Sequence, residues 1–149
     1  MIDTHSISLT TIVKEFDLQV VHAATDFGSV RITVEDISRP GIQLSGYFDH
    51  FDSVRVQIIG YVEYTYLQTL PIERRKEVYK QLLSYGVPCL IYTTEIYPDE
   101  ELLKEAIATN TPVFSTDKRT TPFQAELIRW LNVELAPCIS IHGVLVDIY

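Results

Sequence analysis

Cysteine is scarce in this chain, and long apolar runs are missing altogether. The two cysteines, Cys89 and Cys138, stand singly in the apolar stretches PCLIY and PCISI. This argues against disulfide staples and predicts buried thiols in a reducing compartment. No run approaches the ~20 apolar residues that a membrane helix requires. The opening MIDTHSISLTTIVKEF has neither a basic start nor a long apolar centre, so it is not a secretory signal. These absences predict a soluble, cytoplasmic protein. Basic residues are also outnumbered, 12 against 20 acids, for a net charge of −8. A nucleic-acid backbone needs clustered Lys and Arg, so the charge speaks against that partner.

Familiar chemical signatures are missing too. His5, His22 and His50 show no His-x3-His spacing and no nearby cysteine, which leaves no metal site to predict. There is no G-x-S-x-G elbow, no phosphate loop and no paired-acid motif. Internal repeats and low-complexity linkers are absent as well.

What remains is ordinary globular material. A chain of 149 residues with 46% hydrophobic content buries roughly 68–70% of its unfolded surface, enough for one domain with its own core. A first helix is predicted from Ser8 to about Phe16, with Leu9, Ile12, Val13 and Phe16 on one face. LQVVHA and SVRITV read as strands joined by a turn near Asp26-Phe27-Gly28, and turn signals at Pro40-Gly41 and Gly46 follow.

From Val54 onward the pattern is regular. VRVQIIG, PCLIYT and PVFST read as buried strands, and YVEYTYLQTL as a helix. A further helix from Ile72 to Tyr85 places Val78, Leu82 and Tyr85 on one side, with Gly86 as a left-handed cap. In PDEELLKEAIATN, Pro98 starts a helix, acids fill its first turn and Asn110 caps its end. In TPFQAELIRWLNVEL, Thr121 is the expected cap, with Pro122 at the first position and Gln124 completing a capping box. Its expected buried face is Phe123, Leu127, Ile128 and Leu131. Strand–helix alternation predicts an α/β fold whose sheet is mixed but largely parallel, flanked by helices. The first 50 residues are expected to add antiparallel edge strands.

In a parallel sheet, ligands gather outside the carboxyl ends of the strands. Here those ends are Gly60-Tyr61, Thr93-Thr94 and TDKRTT, residues 116–121. Lys118 and Arg119, with the Thr120 and Thr121 hydroxyls, precede a helix whose first amides are free, so they form a candidate anion site. The competing reading is a cap at Thr121 beside solvated loop cations. ERRKEVYK reads as a solvated helix face on which Glu73 and Glu77 pair with the bases. Tyr61, Tyr64 and Tyr66 read as packing. His142 stands in an apolar strand, where a polar ring is costly. It is either a satisfied structural histidine or a group that projects from the sheet end.

Two stretches, DISRPGIQLSGYFDHF (36–51) and SIHGVLVDIY (140–149), resemble the N-terminal region of bacterial HPr kinase/phosphorylase. LPIERR, PCLIYT and TTPFQAELIRWLNVELAP match between them in the same order. The resemblance covers nearly the whole chain. It implies an N-terminal α/β domain over residues 1–138 and, over 139–149, a connecting strand that leads into a kinase domain beyond Tyr149. That second domain would carry a phosphate loop of the G-x-x-G-x-G-K-S type. The family phosphorylates a serine of the phosphocarrier HPr with ATP and magnesium, and reverses this with inorganic phosphate, releasing pyrophosphate. It acts in carbon catabolite control, in the cytoplasm, as a homohexamer. His142 matches the family's active-site histidine, with an electrostatic role toward the phosphoryl group or a catalytic carboxylate. The resemblance also implies a likeness to the uridine-nucleotide-binding domain of muramyl ligases. Taken alone, the fragment is expected to be inactive and to need no cofactor. The alternative is a free-standing sensor or assembly module that binds a phosphorylated small molecule or uridine nucleotide near Lys118 and Arg119.

Overall fold

The computed structural model describes residues 6–136 and the backbone of two later strands. Among the described residues, nine strands and six α-helices follow in order. They are β1 (Ile7–Ser8), α1 (Leu9–Glu15), β2 (Gln19–His22), β3 (Arg31–Ile32), β4 (Ile37–Ser38), α2 (Gly41–Leu44), β5 (Val56–Ile59) and α3 (Tyr61–Gln68). Then come α4 (Ile72–Ser84), β6 (Leu90–Tyr92), α5 (Glu100–Thr109), β7 (Val113–Ser115), α6 (Thr120–Glu134), β8 (Cys138–Ile141) and β9 (Val144–Asp147).

Five strands form the central sheet in the order β2-β7-β6-β5-β4. β4 to β7 are parallel, and β2 closes one edge antiparallel to β7, with Val20 opposite Phe114. Every residue of β5, β6 and β7 is buried. Parallel strands are covered on both faces, which is why these segments read as largely apolar runs, with Gln57 in β5 and Ser115 at the end of β7 the buried polar exceptions. Val56, Ile58, Ile91 and Phe114 face a layer that includes Leu9, Ile12 and Phe16 with Phe123, Leu127 and Leu131. Ile59, Leu90, Tyr92 and Val113 face the opposite layer, with Leu44, Leu67, Val78, Leu82, Leu102 and Ala106. The fold is therefore a three-layer α/β/α arrangement, as the strand–helix alternation predicts.

Several local expectations are corrected. Helix α6 opens after Arg119 rather than after Thr121, and no side chain caps it. Pro122 thus falls within the first turn, where its missing N–H costs nothing. Pro98 precedes α5 rather than starting it: the cap is Asp99, whose carboxylate accepts from the Leu102 amide at 3.0 Å. Tyr85 lies outside the core face of α4 and stacks on Phe48 instead, with ring centroids 5.2 Å apart, while Tyr79 and Leu83 take the buried places. β2 and β3 do not pair with each other, since β3 joins β1 in a separate two-stranded sheet. The turn-rich stretch near Pro40 holds the short helix α2. Ser8 caps α1, accepting from the Thr10 amide at 3.3 Å, as the pattern predicts. Gly86 (φ 71°) and Asn110 (φ 56°) take left-handed conformations after α4 and α5.

Two pairs on α4, Arg74–Glu77 and Lys76–Glu73, form at helical spacing, but Arg75 reaches Asp99 on the α5 cap at 2.8 Å. The Tyr79 hydroxyl donates to the same carboxylate at 3.0 Å. β8 and β9 pair antiparallel as a two-stranded sheet of their own, from Cys138↔Asp147 to Ile141↔Val144.

Burial, aided at Tyr79 by the nearby Asp99 carboxylate, pushes the Tyr79 and Tyr92 phenols above their ordinary value of 10.0 and the Cys89 thiol above 9.0. The unfolded chain ionises these groups first. Their contribution is complete below pH 9 and is lost as pH rises through 9 to 10 and beyond. Urea unfolding at pH 7, 9 and 10.5 should show a decline that steepens above pH 10, each group adding up to about 1.4 kcal/mol per pH unit. Tyr79→Phe should remove one group's share of that slope; an unchanged slope would refute the assignment.

Candidate functional site at the carboxyl edge

Because β4 to β7 run in the same direction, the segments that leave them begin along one edge. Arg39 follows β4, Gly60 follows β5, Thr93 follows β6 and Thr116 follows β7. The loop after β6 is held in an uncommon shape, with Thr94 at φ 61° and Glu95 at φ 57°. A β-branched residue at positive φ is a real outlier. Here the Thr94 amide donates to the Lys118 carbonyl at 2.8 Å and the Glu95 amide to the Thr116 carbonyl at 3.2 Å, which pins the loop to the segment before α6. Sequences tolerate such strain where the surroundings over-determine it, commonly at working sites.

Three threonine hydroxyls meet above this edge. Thr120 Oγ1 lies 2.6 Å from Thr93 Oγ1 and 3.4 Å from Thr94 Oγ1. Beside them Arg39 forms a two-pronged pair with Glu63, donating from Nε to Oε1 and from Nη2 to Oε2, both at 2.7 Å. Glu63 is only 5% exposed and Arg39 33%. The hydrogen bonds to Glu63 hold the Arg39 guanidinium above its usual pKa, against the opposing effect of burial. Glu63 occupies the third position of α3, from which its carboxylate also reaches back toward the Gly60 amide at 3.5 Å.

Gly60 is where these groups crowd together. A Cβ built there would lie 2.8 Å from Thr120 Oγ1 and 3.0 Å from Arg39 Nη2. Glycine lets the start of α6 and the arginine approach the same point of the β5–α3 turn. Gly60→Ala should therefore cost about 1–3 kcal/mol by overpacking, read by chemical denaturation. Adding Thr120→Ser to Gly60→Ala removes the methyl whose Cγ2 lies 3.1 Å from that Cβ and should recover part of the loss. No recovery would mean that the crowding lies elsewhere.

The residues singled out in TDKRTT do not act together. Thr120 joins the hydroxyl cluster, while Thr121 is exposed. Lys118 turns toward the α1–α6 layer, with Nζ 3.5 Å from Glu126 and 5.6 Å from the centroid of the Phe16 ring. Arg119 is exposed, and its side chain makes no hydrogen bond or ion pair among the described residues. Arg39 and Glu63 escape sequence reasoning, although Glu63 three residues after Gly60 is the spacing of a capping box. Tyr64 packs against the core as expected, but Tyr61 and Tyr66 are exposed. His142 lies outside the described residues. No group of three or more His, Cys, Asp or Glu suited to a metal ion occurs among the described residues. No described helix is long and apolar enough to cross a membrane. Chemically, the cluster offers hydroxyls and a guanidinium to an acceptor-rich group, and it contains no histidine or cysteine.

Residues 7–131 match the family described as HPr Serine kinase N terminus. Among similar proteins, an HPr kinase/phosphorylase of Lachnoclostridium phytofermentans is 44% identical over 97% of this chain, and one of Alkaliphilus metalliredigens 38% over 97%. This chain belongs to the HPr kinase/phosphorylase family. It spans about half the length of those HPr kinase/phosphorylases, 47% and 46% respectively. A solved structure, the CBS and DRTGG domains of the regulatory region of Clostridium perfringens pyrophosphatase complexed with the activator diadenosine tetraphosphate, superimposes with a TM-score of 0.58. The match covers 94% of this chain and 50% of that one at 16% identity, so the likeness is one of fold. That neighbour is a different domain from the muramyl-ligase domain implied by the resemblance, while the α/β class of the HPr kinase/phosphorylase chain stands as predicted.

Proposed function

We propose that this chain is the N-terminal part of a bifunctional enzyme that phosphorylates a serine of HPr with ATP and magnesium and removes that phosphate with inorganic phosphate, releasing pyrophosphate. The observation that carries this reading is the 44% identity, over 97% of the chain, to a protein named HPr kinase/phosphorylase. On this reading the whole protein works in carbon catabolite control, as a cytoplasmic homohexamer. The relatives' names favour the enzyme over a free-standing sensor or assembly module.

ATP and magnesium are assigned to the half of the protein that this chain does not span. The Arg39–Thr120 cluster does not fit magnesium: its one carboxylate, Glu63, is taken up on both oxygens by Arg39. His142 is assigned a contact with the phosphoryl group or with the catalytic carboxylate.

The test is an assay of HPr phosphorylation by the 149-residue chain, beside the same chain extended to the full length of its relatives. The expected result is activity only in the extended protein. ATP-dependent phosphorylation by the short chain would overturn its assignment as inactive, and no activity in the extended protein would overturn the enzyme reading.

A further inference from the structure

Between α2 and α3 lies a cavity of about 430 Å³, lined by Arg39, Gly41, Leu44, Val62, Glu63 and Tyr66. Cavities that hold small molecules have volumes on the order of 300–1,000 Å³, with mostly apolar walls and a few placed polar groups. This one has that composition. Leu44, Val62 and Tyr66 supply apolar and aromatic surface, and Val62 and Tyr66 project from the same face of α3 one turn apart. Val62 is 69% exposed, so its side chain is open to a ligand at the cavity.

The charge at the end of the cavity is specific. Glu63 engages Nε and Nη2 of Arg39, while Nη1 makes no hydrogen bond among the described residues. The ion pair fixes the guanidinium plane and leaves one edge free, so a ligand acceptor would meet a donor that is already oriented. Arg119, the residue before Thr120, adds a cation at the same edge of the sheet whose side chain has no partner among the described residues. In a chain of net charge −8, an anion would be drawn here and repelled from most of the remaining surface.

We propose that the α2–α3 cavity is a binding site for a small anionic molecule with an apolar ring. Its phosphate or carboxylate lies against the free edge of Arg39, and its ring lies between Leu44 and the Val62–Tyr66 face. The proposal does not rest on the kinase reading, because it concerns binding by this chain alone.

Phenyl phosphate is a suitable probe, with phenol and inorganic phosphate as its two halves. Titration of the isotope-labelled 149-residue chain followed by amide NMR should show saturable shifts at Gly41, Val62, Glu63 and Tyr66. The dissociation constant expected for so small a ligand is on the order of a few millimolar. Phenol and inorganic phosphate should each bind at least ~10-fold more weakly, since each lacks one half of the contact.

Two variants separate binding from folding. Val62→Asp puts a carboxylate on an exposed position in the first turn of α3, where acids are favourable, and it should abolish binding. Gly41→Leu fills the cavity from a position where an added Cβ meets nothing within 4 Å, and it should do the same. Saturable shifts at these four amides that vanish in both folded variants support the proposal. It is overturned if the wild type shows no saturation, if the shifts fall on other residues, if phenol binds as well as phenyl phosphate, or if either variant retains binding.

Discussion

Phe123→Ala is expected to lower the free energy of unfolding by about 4 kcal/mol. Phe123 is fully buried on the first turns of α6, packed edge-on against Phe16 with ring centroids 5.6 Å apart, and Phe16 in turn meets Trp130 at 5.6 Å. Removing the ring loses its transfer energy and leaves a cavity between α1 and α6 that a close-packed interior can only partly collapse. Since 1 kcal/mol moves the midpoint of a domain this size by roughly 2–4 °C, the thermal transition should fall by about 12 °C. Ile128, on the same helix but only partly buried, gives the internal comparison: Ile128→Ala should cost less than half as much. Urea denaturation followed by circular dichroism, with the m-value unchanged, is the decisive measurement. A loss below 1 kcal/mol for Phe123→Ala would mean that α6 is held by other contacts. The variant also bears on the site, because Thr120 reaches Thr93 only while the start of α6 is docked.

The regular part of this fold was legible because its strands are buried on both faces. VQII, LIY and VFS are apolar apart from Gln57 and Ser115, and the helices between them carry apolar residues at helical spacing. The first 50 residues were harder to read for a physical reason. β4 is two residues long, and its place is fixed by pairing Ile37 with Val56 and Ser38 with Gln57, partners that no local period can announce. The start of α6 was misread because Thr120 and Thr121 both have the chemistry of a cap. The hydroxyl of Thr120 is committed to Thr93, and the helix begins there without a side-chain cap. The site was half legible. Gly60, Thr93, Thr94 and Thr120 follow from strand ends alone. Lys118, adjacent in sequence, is drawn away by Glu126, while the Arg39–Glu63 pair spans 24 positions and has no local signature.

That pair yields the second large expected effect. Arg39→Met should destabilise the chain by about 3 kcal/mol, because it leaves the Glu63 carboxylate, only 5% exposed, without its two charge-assisted bonds. Glu63→Gln should cost less, about 1–2 kcal/mol, since Arg39 is one-third exposed and its guanidinium can turn to water. The double variant Arg39→Met/Glu63→Leu buries no unpaired charge and should be more stable than Arg39→Met alone. This ordering discriminates between two accounts of the pair. If it were an ordinary surface bridge, each single change would fall within about 1 kcal/mol and the effects would simply add. If it is the partly buried clamp seen here, urea unfolding of the wild type, Arg39→Met, Glu63→Leu and the double variant should give a coupling energy above about 1 kcal/mol. The clamp also sits against Gly60, with Arg39 Nη2 3.0 Å from where a Cβ would stand. A coupling that disappears when Gly60→Ala is added would show that the arginine is held by the β5–α3 turn as well as by its carboxylate.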